Sequence, residues 1–182
     1  MRLFIAIEFT PKVKEFLYDM IQELKQQSNR GTFTRFDNLH LTLAFLGEME
    51  KKRIPEVVEA MKNSCIGRKP FDLSIGGFGK FMTHGECLYW CGVRDNPFLL
   101  ELQQSLVSNL KEQNIAVDLK PFQPHITLGR RCIMKKSFKE KLFSEQIDVN
   151  EMKVSTIHLM KSERIDGKLT YTSLHELNLA NM

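Results

Sequence analysis

Long apolar runs are missing from this sequence. No uninterrupted hydrophobic stretch approaches the roughly 18 residues that a membrane-spanning helix needs. The opening MRLFIAIEFTPK carries one Arg before a short apolar stretch and has no small-residue cleavage site, which is not typical of a secretory leader. We therefore expect a cytoplasmic protein with no membrane partner.

Cysteine is scarce, and its spacing is uninformative. The four cysteines (Cys65, Cys87, Cys91 and Cys132) form no CxxC pair, so we expect free thiols. His84, Cys87 and Cys91 have a spacing loosely similar to that of zinc ligands, but a fourth ligand is missing. We expect no metal and no other cofactor.

The excess of positive charge is small. There are 26 Lys and Arg residues against 22 Asp and Glu, a formal net charge of +4, which permits a polyanionic partner without selecting one. The chain of 182 residues is 42% hydrophobic, enough for a real core. This length predicts one domain over residues 1–182, made of two closely joined lobes.

Strand and helix patterns are intermixed along the chain. Apolar runs and turn signals predict strands over 2–8, 32–36, 40–46, 70–78, 87–93, 124–129, 152–161 and 169–179. Helical spacing and N-terminal signals predict helices from Pro11, over 52–63, from Asn96-Pro97 and over 137–143. The mixture favours an α+β fold with mostly antiparallel sheets.

A short motif occurs twice. The segment 40–43 reads His-Leu-Thr-Leu, and 125–128 reads His-Ile-Thr-Leu, 85 positions later. Because side chains alternate between the two faces of a strand, His40 and Thr42 should share one face, with Leu41, Leu43 and Phe45 on the other. The same alternation pairs His125 with Thr127. The polar faces would then carry histidine, threonine and a small residue, Ala44 or Gly129.

Two imidazoles and two hydroxyls across a groove suit the hydrolysis of a cyclic phosphodiester. One imidazole must remove a proton while the other supplies one, and histidine can take either role near neutral pH. The threonine hydroxyls can donate to the oxygens on which charge accumulates. A single His-x-Thr is more often an ordinary half-exposed strand. Two copies in the same apolar context favour function over coincidence.

The sequence around both motifs resembles the 2H phosphoesterase superfamily, and within it the RNA 2′,3′-cyclic phosphodiesterases, also called 2′-5′ RNA ligases. The resemblance includes the opening RLFIAIE and the segments 38–48 (NLHLTLAFLGE) and 121–130 (PFQPHITLGR). It also includes Leu88-Tyr89-Trp90, Lys161-Ser162-Glu163 and Tyr171-Thr172. Similarity of this kind extends over nearly the whole chain.

The resemblance implies a bilobed, pseudo-twofold fold with a central cleft, and hydrolysis of RNA 2′,3′-cyclic phosphate ends to 2′-phosphomonoesters. By position, His40 would be the proton donor and His125 the proton acceptor. Thr42 and Thr127 would hold the phosphate. The implied partner is an RNA or oligonucleotide with a cyclic phosphate end. Members of this family can also be expected to catalyse the reverse, 2′-5′ RNA ligation. We expect a monomer without an obligate protein partner.

Arg130 follows the second motif and is a candidate phosphate ligand. Strict alternation aims it at the apolar face, so it reaches the substrate only if the strand ends or bulges at Gly129. Two other functions stay open on the sequence alone. One is a related enzyme that acts on another small cyclic nucleotide or cyclic phosphate metabolite, and the other is an RNA-binding or ligating module.

Overall fold

The computed structural model describes residues 1–83, 86–118 and 120–179, and its class is α+β as predicted. Nine strands are described: β1 (Arg2–Glu8), β2 (Ser28–Phe33), β3 (His40–Glu48), β4 (Phe71–Thr83), β5 (Glu86–Val93), β6 (His125–Met134), β7 (Asn150–Val154), β8 (Thr156–Ile165) and β9 (Lys168–Asn178). The helices in these ranges are α1 (Pro11–Gln26), α2 (Ile54–Cys65), α3 (Pro97–Glu112) and α4 (Glu140–Glu145). Short 3₁₀ turns precede β3 and α2.

The strands form two antiparallel sheets. The first has four strands in the order β3-β1-β8-β9, and the second has five in the order β2-β6-β5-β4-β7. Each His-x-Thr motif begins one strand, β3 in the first sheet and β6 in the second, and these two strands contact each other. Each sheet thus brings one motif to the junction of the two lobes.

The helices form where the sequence predicts them, for local reasons. α1 begins at Pro11, where the fixed backbone angle of proline suits the first turn, and it buries Val13, Leu17 and Ile21. α3 begins after Asn96, whose side-chain oxygen accepts a hydrogen bond of 3.0 Å from the Leu99 amide. The buried faces of α1, α2 and α3 join the apolar faces of both sheets in one core.

Several strands differ from the predictions. The single strand predicted over 152–161 is wrong: this segment forms β7 and β8, which lie in different sheets. β2 covers Ser28–Phe33 instead of 32–36, because this polar segment pairs with β6 although it has little apolar pattern of its own. β6 continues past Gly129 to Met134, so the predicted end at that glycine is wrong. Pairing with β2 and β5 on its two sides supplies the hydrogen bonds that extend it.

Gly79 allows Trp90 to pack across the β4–β5 pair. A Cβ at position 79 would overlap the six-membered ring of Trp90. The Trp90 ring lies 5.3 Å from that of Phe81, which in turn lies 5.0 Å from the His125 ring, edge to face. The contact at Gly79 therefore supports the wall against which His125 packs.

We expect Gly79→Ala to lower the free energy of unfolding by about 1 to 3 kcal/mol, because the added methyl group must displace a packed indole. Urea unfolding monitored by circular dichroism measures this. Asp72→Ala, at an exposed position of the same strand, is the matched control and should change stability by no more than about 0.5 kcal/mol. Equal midpoints for wild type and Gly79→Ala would contradict this packing.

Candidate active site

Each motif histidine makes the same kind of hydrogen bond, from Nδ1 to the carbonyl oxygen two residues earlier. Nδ1 of His40 lies 2.7 Å from the carbonyl oxygen of Asn38, and Nδ1 of His125 lies 2.8 Å from that of Gln123. A carbonyl oxygen only accepts, so Nδ1 carries the proton in both rings. In the neutral form of each ring, Nε2 is therefore the atom with the free lone pair, and it is the atom available for chemistry.

The two motif threonines have different partners. Nε2 of His40 is 3.0 Å from the Thr42 hydroxyl oxygen, which donates to it when the ring is neutral. Thr127 has its hydroxyl oxygen 3.4 Å from a guanidinium nitrogen of Arg130, a weak, long contact. The Thr127 carbonyl accepts a hydrogen bond of 2.7 Å from the Thr34 hydroxyl, which fixes the backbone of the second motif.

Both motif strands break their alternation at the same place. Opposite β1, Ile5 pairs with Ala44 and Ala6 with Thr42, so Leu43 is an extra residue. Opposite β5, Tyr89 pairs with Gly129 and Trp90 with Thr127, so Leu128 is an extra residue. These are β-bulges, which reverse the faces of the residues that follow.

Because of the bulges, the residues beside the motif histidines differ from those predicted. Ala44 and Gly129 are buried instead of lying beside the motif residues, and the fifth residue after each histidine, Phe45 or Arg130, is exposed. The prediction that Phe45 points to the apolar core was wrong: its side chain is 53% exposed. The bulge at Leu128, directly before Gly129, turns the Arg130 side chain to the face of Thr127, whose hydroxyl oxygen lies 3.4 Å from its guanidinium.

Phe45 is the site residue that strict alternation missed. Its ring lies 6.2 Å from that of Phe4, which lies 4.8 Å from the His40 ring. Tyr171, from the distant strand β9, meets the His40 ring edge to face at 5.2 Å. The one available signal was that position 45 matches position 130 when the two motifs are aligned. An aromatic wall thus encloses His40 on the side of the first sheet.

The pKa of His40 is strongly lowered, from 6.5 to about 4. Burial is the main cause, and the hydrogen bond to the Asn38 carbonyl opposes it. The positive charges of Arg130, Lys14 and His125 lower this pKa further, which places the two motifs within electrostatic reach of each other. In the free protein at neutral pH, His40 is therefore uncharged.

Cys87 and Cys91, two of the three residues with loosely zinc-like spacing, lie on β5, and His84 lies outside the described residues. Within the described ranges, no group of three or more His, Cys, Asp or Glu side chains is arranged to hold a metal ion. All four cysteines are free thiols, and burial raises the pKa of Cys65 and Cys132 to about 11.

Comparison with known proteins identifies the family. The model of the 2′-5′ RNA ligase superfamily matches residues 11–166. The chain belongs to this superfamily. Superfamily members that resemble it include the RNA 2′,3′-cyclic phosphodiesterase of Thermotoga maritima, 34% identical over 71% of this chain and 70% of that protein. The enzyme of the same name from Methanothermobacter thermautotrophicus is 24% identical over 98% of both chains.

The superfamily fold is also evident from solved structures. The crystal structure of TT0787 from Thermus thermophilus matches with a TM-score of 0.82 and 25% sequence identity, and the match covers 98% of both chains. This match supports the arrangement of two antiparallel sheets with flanking helices. Among the described residues of this superfamily member, no helix is both long enough and apolar enough to cross a membrane.

The lowered pKa of His40 predicts a pH dependence of stability. The unfolded chain has the ordinary value of 6.5 and the folded protein about 4, so the unfolded state binds more protons between these values. The free energy of unfolding should therefore fall as the pH drops from 6.5 to 4, by about 2 to 3 kcal/mol from this group. His40→Gln should lose less stability than wild type between pH 7 and pH 4.5 in urea unfolding.

The control for this experiment is His175→Gln, because His175 is exposed on β9. That variant should follow the wild-type pH profile, since the carboxyl groups that titrate in the same range are unchanged. An identical loss of stability in wild type and His40→Gln would show that His40 titrates with its ordinary pKa.

Proposed function

We propose that this protein hydrolyses RNA 2′,3′-cyclic phosphate ends to 2′-phosphomonoesters, without a metal ion. The observation that carries the proposal is the matched pair of imidazoles, each fixed through Nδ1 so that Nε2 is free to exchange a proton. The names of the relatives support the substrate class. In this proposal residues 1–182 act as one bilobed domain and as a monomer, because each lobe supplies one motif.

The reaction is a displacement at phosphorus with entering and leaving oxygens roughly in line. Nε2 of His125 accepts a proton from water, and the water oxygen forms the new bond to phosphorus. The bond from phosphorus to the 3′ oxygen breaks, and Nε2 of His40 donates a proton to that oxygen. The products are a 2′-phosphate and a free 3′ hydroxyl. General acid–base catalysis of this kind typically supplies about 10² to 10⁴ in rate.

The donor role requires a protonated His40, whereas the free protein holds this ring neutral. The substrate supplies what is missing, because an anionic cyclic phosphate beside the ring favours the imidazolium form. When Nε2 is protonated it no longer accepts from the Thr42 hydroxyl, and that hydroxyl turns to donate to the phosphate. Binding of the substrate thus also promotes protonation of His40, the general acid.

Thr42, Thr127 and Arg130 are the proposed phosphate ligands. The two hydroxyls donate to the non-bridging oxygens, where charge increases in the transition state. Arg130 adds positive charge at the same place, and its charge already acts on His40 and Tyr171. The same positions would serve 2′-5′ ligation, in which a 5′ hydroxyl takes the place of water: it gives its proton to His125 and bonds to phosphorus, and His40 protonates the leaving 3′ oxygen.

A nucleotide substrate is favoured over a small cyclic phosphate that lacks a base. Phe45 offers an exposed aromatic face at the rim of the site, 6.2 Å from Phe4. A base that stacks on such a face typically contributes about 1 to 3 kcal/mol to binding. A base-free metabolite offers no aromatic face to stack on this ring.

We expect His40→Ala and His125→Ala each to lower kcat by about 10² to 10⁴ on an oligoribonucleotide with a 2′,3′-cyclic phosphate end, because each removes one proton transfer. Product analysis of wild type in EDTA should give the 2′-phosphate. His175→Ala, at an exposed histidine on β9, is the control and should keep wild-type activity.

Other outcomes would separate the alternatives. Full loss of wild-type activity in EDTA, restored by one divalent ion, would contradict the metal-free mechanism. Tight binding of oligonucleotides in both histidine variants, without turnover by wild type, would favour an RNA-binding module. A 3′-phosphate product would contradict the assignment of the leaving oxygen.

The proposed activation of His40 predicts a ligand-dependent titration. In the free protein its imidazole should titrate with a midpoint near 4. Saturation with a nucleoside 2′-phosphate should raise this midpoint by at least about one unit, because the bound anion stabilises the charged ring. Two-dimensional NMR of the ¹⁵N-labelled histidine rings measures both values.

His175 serves as the internal reference in the same spectra, since it is exposed. An unchanged midpoint for His40 in the complex would contradict its role as proton donor and would assign that role to His125.

A further inference from the structure

A cavity of about 330 Å³ lies beside the active site, between α1 and the segment that joins β2 to β3. Its volume is at the lower end of the range of about 300 to 1,000 Å³ that is typical of small-molecule sites. None of the residues that line it takes part in the mechanism proposed above.

The cavity combines aromatic rings with exposed cations. Tyr18 and Phe36 form part of its lining, and their rings meet edge to face at 5.6 Å. Lys25 and Arg35 also line it, and both side chains are exposed. Aromatic faces next to positive charges are the combination that sites for single-stranded nucleic acid use, because bases stack while the cations attract phosphate.

The cavity lies close to both motifs, to one through a hydrogen bond and to the other through a short stretch of chain. Thr34 lines it and also donates to the Thr127 carbonyl at 2.7 Å. Phe36 lies four residues before His40, so their Cα atoms are at most about 14 Å apart. The substrate carries its cyclic phosphate at the 3′ end, so the rest of an RNA strand extends from the site in the 5′ direction.

We propose that this cavity is a subsite for a nucleotide 5′ of the reacting end of the RNA. The inference rests on the proposed function, because the cyclic phosphate fixes which end of the strand lies at the histidines. The base stacks on Tyr18, whose ring Phe36 meets edge to face, and Lys25 and Arg35 attract the phosphate that follows the base. The subsite makes the enzyme prefer oligonucleotides over mononucleotides.

Asp37 is a negative charge next to the cation Arg35. Its carboxylate lies 3.7 Å from the Arg35 guanidinium, and both side chains are largely exposed, so the ion pair is weak. Removal of this carboxylate leaves Arg35 with a long contact of 3.4 Å to the Leu169 carbonyl oxygen, so more of its charge acts on the RNA. The subsite therefore predicts opposite effects for substitutions at two neighbouring positions.

The experiment compares kcat/KM for a trinucleotide and a mononucleotide, both with a 2′,3′-cyclic phosphate, and takes the ratio for each variant. Wild type should prefer the trinucleotide by about 10-fold or more. Arg35→Gln and Tyr18→Ala should each lower the ratio by about 5- to 10-fold, mainly through KM, and Asp37→Asn should raise it. Arg30→Gln removes an exposed cation from β2 outside the cavity and should leave the ratio within about twofold.

Three results would overturn the subsite. One is a wild-type ratio near one. Another is an equal fall in Arg30→Gln and Arg35→Gln, which would indicate diffuse attraction instead of a site. The third is no turnover of either substrate by wild type, which would reject the proposed function and the subsite together, whereas the first two reject the subsite alone.

Discussion

The hydrogen bond between each motif imidazole and the carbonyl oxygen two residues before it is the constraint on which the site depends. It fixes the Nδ1–H tautomer of His40 and His125 and directs Nε2 away from the backbone. Without it, either ring could present the wrong nitrogen or rotate. The strands matter because they place the Asn38 and Gln123 carbonyls at the right distance, and the core matters because it holds the strands.

A second constraint, the bulge after each motif, decides what surrounds the histidines. The extra residues Leu43 and Leu128 turn the fifth residue after each histidine toward the site. The two lobes then use the same backbone feature for different chemistry, since one presents Phe45 and the other Arg130. In the proposed mechanism, apolar contact with a base and positive charge for the phosphate thus come from different lobes.

Local patterns predicted the α+β class, the helix starts at Pro11 and Asn96, and the strands that carry both motifs. The side of the strand on which Phe45 lies could not be predicted, because the bulge depends on the register with β1, a strand far away in sequence. The extent of β2 was also missed, because it depends on pairing with β6, another strand far away in sequence. The enclosure of His40 by Phe4 and Tyr171 comes from two other strands, so the pKa near 4 also required the fold.

In the proposed mechanism the two Nε2 atoms act on opposite sides of one phosphorus. A crystal structure with uridine vanadate, which imitates the five-coordinate transition state, would locate both imidazoles relative to the reacting centre. We expect Nε2 of His40 and Nε2 of His125 each to lie within about 2.6 to 3.2 Å of a different apical oxygen. A vanadate bound with either imidazole beyond hydrogen-bond reach, or with both on the same side, would rule out this mechanism.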